Sequence, residues 1–241
     1  MKEIRILHLF PDLLSLYGEY GNVAVLSKLL TDRGYNVHVD RYEDGELSLE
    51  DYDLIYIGSG TEDHLMAANK RLEAFRDRIR ESAARGDLWL ATGNAMCLFG
   101  KTITRKGEKY AAAGVFAYET TIDETKRFMG DVLTTAENPY GAELVGFINT
   151  SCVYEGIEKP AAKLVLNAKL GNDKETDGEG FCEGGFWATQ LIGPFAVKNP
   201  AVTEAILSKM TGVKATLPDD SYLMLAYQAA LKELRARAAA K

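Results

Sequence analysis

The sequence lacks the features that mark membrane-spanning and nucleic-acid-binding proteins. No apolar run reaches the ~18–20 residues that a membrane helix needs. The 28 lysines and arginines are outnumbered by 35 aspartates and glutamates, which gives a formal net charge of −7, whereas a nucleic-acid-binding domain usually carries a basic surplus. The N-terminus has early acidic residues and no small-residue cleavage site, unlike a signal peptide. We therefore expect a cytoplasmic protein with no membrane span and no nucleic-acid partner.

Cysteine and histidine are also scarce. The cysteines are Cys97, Cys152 and Cys182, and the histidines are His8, His38 and His64. The cysteines are widely spaced and form no Cys-x-x-Cys pair, which argues against a disulfide framework and against a zinc site. No histidine follows position 64, so the rest of the chain offers no imidazole base. The sequence therefore predicts no bound metal.

The first hundred residues alternate between strand and helix patterns. Apolar or alternating runs typical of strands lie at 4–10, 35–41, 54–57 and 88–91. Between them, apolar residues at helical spacing predict one helix over 22–33 and another after Gly60. A βαβαβ order of this kind is typical of a parallel sheet with helices on both faces and right-handed crossovers. The fold class is therefore α/β.

The second half of the chain is richer in short strand patterns. These lie at 101–103, 130–135, 144–149, 163–166 and 186–191, with helical patterns at 202–210 and 221–237. Glycine-rich turns separate the strands, and the acidic stretch 173–179 is expected to be a solvated turn. With 46% hydrophobic residues and no long linker, we expect one domain over 1–241.

Two loops are placed to form a binding site, because ligands of open α/β sheets bind at the carboxyl ends of the strands. Gly58-Ser59-Gly60 follows one predicted strand, and its backbone N–H groups are suited to an oxyanion or a phosphate. A simple tight turn is the alternative. Thr92-Gly93-Asn94 follows the next strand as a strand–turn–helix elbow, the geometry that presents a nucleophile in many hydrolases. This elbow contains no cysteine and no serine.

Several segments, in order and spacing, resemble the class I glutamine amidotransferases of the CobB/CobQ-like type. They are LHLFPDLLSLYGEYGNVAVL (7–26), IYIGSGTED (55–63), LWLATGNAMCLFGK (88–101), KRFMGDV (126–132), VGFIN (145–149), KLGNDKETDGEGF (169–181) and ATQLIGP (188–194). Within this family the sequence is most similar to glutaminase subunits of lipid II isoglutaminyl synthase. The resemblance implies a three-layer fold with a flavodoxin-like core and a β-rich second half. It also implies glutamine as ligand, no cofactor, and a Mur-ligase-like ATPase subunit as partner.

The sequence departs from the family at both catalytic positions. Family enzymes carry Cys-Gly-Gly-Tyr-Gln-x-Leu-Gly at the elbow, and alignment with 93–100 leaves Gly93 at the nucleophile position. They read Tyr-Leu-His-Gly-Pro near the end of the sheet, where this chain has Ile192 in place of the histidine. Glycine has no side chain to attack an amide, and isoleucine cannot transfer a proton. Cys97 lies one helical turn, ~6 Å, beyond the elbow, so we expect it to be an apolar filler.

Three functional hypotheses remain open at this stage. In the first, the family fold persists without hydrolysis as a binding, scaffold or regulatory subunit for a Mur-ligase-like ATPase. Its cleft then binds an amino acid such as glutamine, or another small anion, through Gly58, Ser59, Gly60, Asn94 and Arg127. Arg127 is alternatively a solvated surface residue. In the second, the chain is an active glutaminase with a relocated catalytic group such as Cys97, supplying ammonia to amidate lipid II or a cobyric-acid-type substrate. In the third, Thr92 or Ser59 is the nucleophile of another hydrolase. We expect no cysteine–histidine pair at the elbow, where His64 is the nearest candidate imidazole.

Overall fold

The computed structural model describes residues 2–240. The strands are β1 (Glu3–Leu9), β2 (Asn36–Tyr42), β3 (Leu54–Ile57), β4 (Trp89–Thr92), β5 (Thr102–Arg105), β6 (Glu108–Ala111), β7 (Glu119–Ile122), β8 (Phe128–Thr134), β9 (Val145–Thr150), β10 (Cys152–Glu155), β11 (Pro160–Leu166), β12 (Gly178–Glu183) and β13 (Phe186–Thr189). The helices are α1 (Tyr20–Asp32), α2 (Glu62–Leu72), α3 (Arg76–Arg85), α4 (Phe195–Lys198), α5 (Pro200–Thr211) and α6 (Tyr222–Ala239). Short 3₁₀ segments occupy Leu16–Gly18, Glu73–Phe75, Gly93–Phe99 and Ala168–Leu170.

Nine strands form one sheet in the order β2-β1-β3-β4-β13-β12-β11-β8-β9. The first five of these are mutually parallel, whereas the remaining four pair antiparallel. The predicted α/β fold is confirmed, and the parallel pattern read from the first hundred residues is present. The β-rich second half extends the same sheet, so antiparallel pairing is as extensive as parallel pairing. A smaller sheet has the order β10-β7-β5-β6.

The two faces of the large sheet bury separate apolar clusters, because side chains alternate along a strand. On one face Leu7, Ile55 and Trp89 pack with α2, α3, the 3₁₀ segment Gly93–Phe99 and the small sheet. On the other face Ile6 and Leu54 pack with α1 and α5. The antiparallel half also carries a small apolar cluster that α6 covers. This is the layered arrangement that the βαβαβ pattern predicts.

Local sequence explains the helix that leaves the Gly58-Ser59-Gly60 loop. Thr61 caps α2 by accepting a hydrogen bond from the His64 N–H, and Glu62 and Asp63 lie in the first turn, where the helix dipole favours carboxylates. The helix predicted there is interrupted by the 3₁₀ turn Glu73–Phe75 and resumes as α3. It ends at Gly86, whose φ of 82° suits a glycine cap. No helix within residues 2–240 combines the length and apolarity needed to cross a membrane.

Candidate functional site

The predicted elbow lies where the parallel strands β3 and β4 end side by side. Gly93 follows β4 directly and has a φ of +62°, the left-handed region that glycine occupies without a side-chain penalty. The segment Gly93–Phe99 continues as a 3₁₀ helix and is buried throughout. The strand–turn–helix shape expected of a nucleophile elbow is therefore present, although the residue in the turn carries no reactive group.

Gly93 and Ile192, which the sequence alignment predicts to lie at the family's catalytic positions, are in contact. A Cβ atom at position 93 would lie 2.8 Å from Ile192 Cγ2 and 2.6 Å from both Cβ and Oγ of Ser59. Ile192 is 2% exposed, and its N–H donates to Phe147 O at 3.0 Å. Positions 93 and 192 thus lie side by side, and the Ile192 side chain fills the space that a side chain at position 93 would need.

The Gly58-Ser59-Gly60 loop is bound by Asn94 rather than left open. Asn94 Oδ1 accepts hydrogen bonds from the Gly60 N–H at 3.0 Å and from Ser59 Oγ at 3.1 Å. Asn94 Nδ2 donates to Gly60 O at 2.7 Å. Ser59 is 3% exposed and Asn94 7% exposed. The Gly60 N–H that is suited to an oxyanion is therefore already satisfied by an internal amide.

The segment before α1 covers the same loop. A Cβ atom at Gly58 would lie 2.5 Å from Leu14 O, and one at Gly60 would lie 2.5 Å from Leu14 Cδ2 and 2.8 Å from Leu13 O. The Leu16 N–H donates to Ser59 O at 2.8 Å. Backbone and side chains of this segment therefore pack directly against the loop, and the surroundings of the elbow are closed.

Arg127 lies at the edge of this region and is engaged with a carboxylate. Its Nη1 donates to Glu62 Oε1 at 2.6 Å, and Ser151 Oγ donates to the same oxygen at 2.8 Å. Burial opposes ionisation of Glu62, but these two hydrogen bonds together hold the pKa of its carboxyl below the usual value. The structure thus gathers Gly58, Ser59, Gly60 and Asn94 at the elbow, while the hydrogen bond of Arg127 goes to the first turn of α2.

Cys97 is fully buried, and its thiol contacts another cysteine and a tyrosine. Its Sγ donates to Cys152 Sγ at 3.2 Å and lies 3.5 Å from Tyr154 Oη. Burial raises the pKa of the Cys97 thiol well above its usual value, so the reactive thiolate is disfavoured. These contacts place Cys97 in the apolar cluster around the small sheet.

The side chains of His64 and His8 also contact groups other than a cysteine. His64 Nδ1 is 3.1 Å from Leu13 O. His8 is 4% exposed and packs edge-on against the Tyr56 ring, with ring centroids 5.0 Å apart. Burial, helped by the nearby Arg41, lowers the pKa of His8 to about 4. Within residues 2–240 the hydrogen bonds of these side chains join no thiol to an imidazole.

A buried carboxylate beneath the elbow was not identified from the sequence. Glu19 is 0% exposed and accepts hydrogen bonds from Thr92 Oγ1, from Tyr56 Oη at 3.0 Å and from the Gly193 N–H at 2.9 Å. Burial raises the pKa of Glu19, and the bonds from Thr92 and Gly193 oppose the rise. A lone glutamate in a loop gives no sequence signal of burial. Glu19 ties together three segments that are distant in the sequence.

The acidic stretch 173–179 is more buried than the sequence predicts. The prediction of a solvated turn is wrong at Glu179, which is 1% exposed and accepts from Thr189 Oγ1 at 2.9 Å and from the Gln190 N–H at 2.7 Å. Burial raises the pKa of Glu179 to about 7. Lys174 Nζ donates to Gln190 Oε1 at 2.6 Å, and burial lowers its pKa to about 8. This stretch therefore folds back onto the end of β13.

Comparison with known proteins agrees with this geometry. The chain is 27% identical over 212 residues to the lipid II isoglutaminyl synthase (glutamine-hydrolyzing) subunit GatD of Staphylococcus aureus, covering 87% of this chain and 85% of that protein. It is 25% identical over 206 residues to the GatD subunit of Streptococcus pneumoniae, covering 82% of this chain and 76% of the relative. A crystal structure of a glutamine amidotransferase superposes with a TM-score of 0.56 at 14% identity, covering 85% and 98% of the two chains.

Gly93 and Ile192 lie inside a family match that spans most of the chain. The CobB/CobQ-like glutamine amidotransferase domain matches residues 5–200, a range that includes both Gly93 and Ile192. The superposition supports the class I amidotransferase fold. This chain therefore belongs to the family of CobB/CobQ-like glutamine amidotransferase domains.

Proposed function

We propose that this protein is a non-hydrolytic member of its family, acting as a binding or regulatory subunit. The observation that carries the proposal is the contact of Gly93 with Ile192, where hydrolysis of an amide needs a thiolate beside an imidazole. Loss of one member of such a catalytic pair typically costs several powers of ten in rate, and loss of both costs little more. The closed packing around the elbow is a further argument against turnover there.

The alternative nucleophiles are poorly suited to the reaction. Cys97 is buried with a raised pKa, which argues against the relocated-thiol hypothesis. Thr92 is 0% exposed and Ser59 is 3% exposed, and both hydroxyls are occupied by internal hydrogen bonds. A nucleophile must reach a near-attack distance of ~3–3.5 Å from its substrate. None of these three groups does so without rearrangement of the elbow.

A partner subunit fits this role. Both curated relatives are named as subunits of a lipid II isoglutaminyl synthase, and the family resemblance implies a Mur-ligase-like ATPase as the other subunit. We propose that this chain associates with such an ATPase and retains the fold for that purpose.

Glutamine as a ligand of Gly58, Ser59, Gly60, Asn94 and Arg127 stays a prediction. Binding at the elbow requires Asn94 to give up the hydrogen bond that it accepts from the Gly60 N–H. The cytoplasmic location also stays a prediction.

Glutamate release from glutamine is the decisive assay. We expect no release above the buffer rate from the purified chain, either alone or with a Mur-ligase-like ATPase from the same organism. A family member that has the cysteine and the histidine serves as the positive control under the same conditions. The measurement is glutamate formed over time at a high enzyme concentration.

Cysteine variants separate this proposal from the active-glutaminase hypothesis. Turnover that disappears in Cys97→Ala but persists in Cys182→Ala would establish a relocated thiol and overturn the proposal. Cys182 is the matched control because it is a free, partly buried cysteine outside the elbow. Turnover that survives both substitutions but is lost in Thr92→Val or Ser59→Ala would favour the third hypothesis instead.

A further inference from the structure

A second cleft lies away from the elbow, between α2 and the β5–β6 hairpin. Its volume is about 800 Å³, within the range typical of small-molecule sites. One wall is formed by α2 and the turn after it, including Met66, Lys70 and Glu73, and the other by the hairpin from Arg105 to Ala111. The cleft shares no lining residue with the elbow, so its role is independent of the proposed loss of hydrolysis.

Both ends of this cleft are fixed by hydrogen bonds. At one end Asn69 Nδ2 and Arg76 Nη2 donate to Ala111 O at 3.0 Å and 2.7 Å. At the other end Arg105 Nη2 donates to Asp63 Oδ1 at 2.7 Å and also to Glu124. These contacts join α2 and the first residue of α3 to the small sheet. The cleft is therefore formed before any ligand arrives.

The lining carries a surplus of positive charge in an acidic protein. Five cationic and two anionic side chains line the cleft, namely Lys70, Arg76, Arg105, Lys106 and Lys109 against Glu73 and Glu108. The difference is +3, whereas the whole chain has a formal charge of −7. Asp63, Glu119 and Glu124 lie outside the lining and pair with Arg105, Lys109 and Lys106. The concave surface itself still has a surplus of cations, and such a surface attracts ligands of the opposite sign. The occupant expected from this charge is an anion.

The lysines are the cations that remain available to a ligand. Lys70 is exposed and has no carboxylate partner within residues 2–240. Lys106 and Lys109 form exposed ion pairs with Glu124 at 3.3 Å and with Glu119 at 2.8 Å. Exposed pairs of this kind contribute little free energy. A multiply charged anion can therefore replace the two glutamates as the partner of these lysines. In contrast, Arg76 and Arg105 are held in the fixed ends of the cleft.

We propose that this cleft binds a small molecule bearing a cluster of phosphoryl groups. Lysine ammonium groups act as point charges toward phosphate oxygens, and several of them together suit a ligand that carries several charged oxygens. Met66 and the partly exposed Tyr110 offer apolar surface for an uncharged part of the ligand. The size of the cleft, the surplus of cations in its lining and the three exposed lysines together favour a compact polyphosphate over a simple monocarboxylate.

Titration calorimetry with inorganic tripolyphosphate tests the proposal on the full chain. We expect saturable binding with a 1:1 stoichiometry that weakens as salt is raised, because exposed charge pairs are screened. Citrate, a tricarboxylate, is the carboxylate probe and is expected to bind more weakly than tripolyphosphate. The triple variant Lys70→Gln/Lys106→Gln/Lys109→Gln is expected to lose affinity by about tenfold or more.

A charge-matched variant controls for a general effect of net charge. Lys28→Gln/Lys214→Gln/Lys232→Gln removes three exposed lysines outside the cleft, and both triple variants have a formal charge of −7 − 3 = −10. Retained binding in the control and lost binding in the cleft variant would support the site. Equal losses in the two variants, absence of tripolyphosphate binding, or tighter binding of citrate would each overturn the proposal.

Discussion

At the scale of single residues, Gly93 determines what the elbow can contain. Its positive φ and its closeness to Ser59 and Ile192 leave no room for a side chain. The resemblance to the family implies a cysteine at this position in its enzymes. Here the backbone keeps the elbow conformation, while Ile192 occupies the space that such a side chain would need. A cysteine introduced at position 93 alone would therefore be in steric conflict with Ile192 and Ser59.

The substitution Gly93→Ala measures this closure directly. We expect a loss of about 3 kcal/mol or more in the free energy of unfolding, since the left-handed conformation costs about 1–2 kcal/mol and overpacking adds a further cost. Urea unfolding of Gly34→Ala is the control, because Gly34 has a φ of +83° but nothing within 4 Å of an added Cβ. That variant should lose only about 1 kcal/mol. Equal losses would show that the elbow is open.

At the scale of elements, α6 covers the antiparallel half of the large sheet. Ser221 caps it by accepting from the Met224 N–H, and the helix predicted at 221–237 is confirmed at Tyr222–Ala239. Leu234, which is 7% exposed, is its one buried side chain within the described residues and packs with Leu133, Val145 and Leu166. Leu234 is therefore the main apolar anchor of a helix that also packs through the partly buried Tyr227, Ala230, Leu231 and Ala238.

Truncation of that anchor should destabilise the whole protein. We expect Leu234→Ala to lower the free energy of unfolding by about 2–4 kcal/mol, the usual cost of a cavity at a buried leucine. Leu225, which is 49% exposed on the same helix, is the control, and Leu225→Ala should cost within about 0.5 kcal/mol. Chemical denaturation compares the two, and a small effect at both positions would show that α6 is only loosely attached.

At the scale of the whole molecule, buried ionisable groups link folding to pH. Glu179 has its pKa raised by burial from 4.5 to about 7, so the folded protein binds more protons than the unfolded chain between these values. Its contribution to stability is complete below pH 4.5 and falls as the pH rises toward 7. His8 has its pKa lowered from 6.5 to about 4, so its contribution has the opposite slope over an overlapping range.

The variant Glu179→Gln isolates the first of these contributions. A glutamine oxygen still accepts from Thr189 and Gln190 but does not ionise, so the variant should gain stability relative to the wild type as the pH rises from 4.5 to 7. The difference is expected to be on the order of 3 kcal/mol at most. Unfolding is measured by urea titration across this range, with Glu175→Gln, an exposed position in the same stretch, as control. A constant difference across pH would contradict the assignment.

Much of the architecture could be predicted because it rests on local patterns. The buried runs of β3 and β4 and the capped start of α2 appear directly in the residue order. Strands such as β6, with every residue exposed, were missed because a polar strand on an outer sheet has no apolar alternation to detect. The antiparallel extension of the large sheet was also missed, since strand neighbours are chosen by long-range pairing.

The sequence by itself determined that the elbow holds glycine, that no histidine follows position 64, and that the frame is α/β, because residue identity and apolar period are local properties. Only the tertiary structure decided that Ile192 fills the space at Gly93, nearly a hundred residues away in the chain. It also decided that Asn94 satisfies Gly60 and that Glu19 and Glu179 are buried. These outcomes depend on which segments pack together and on the hydrogen bonds they then exchange, and packing between distant segments leaves no periodic trace in the sequence.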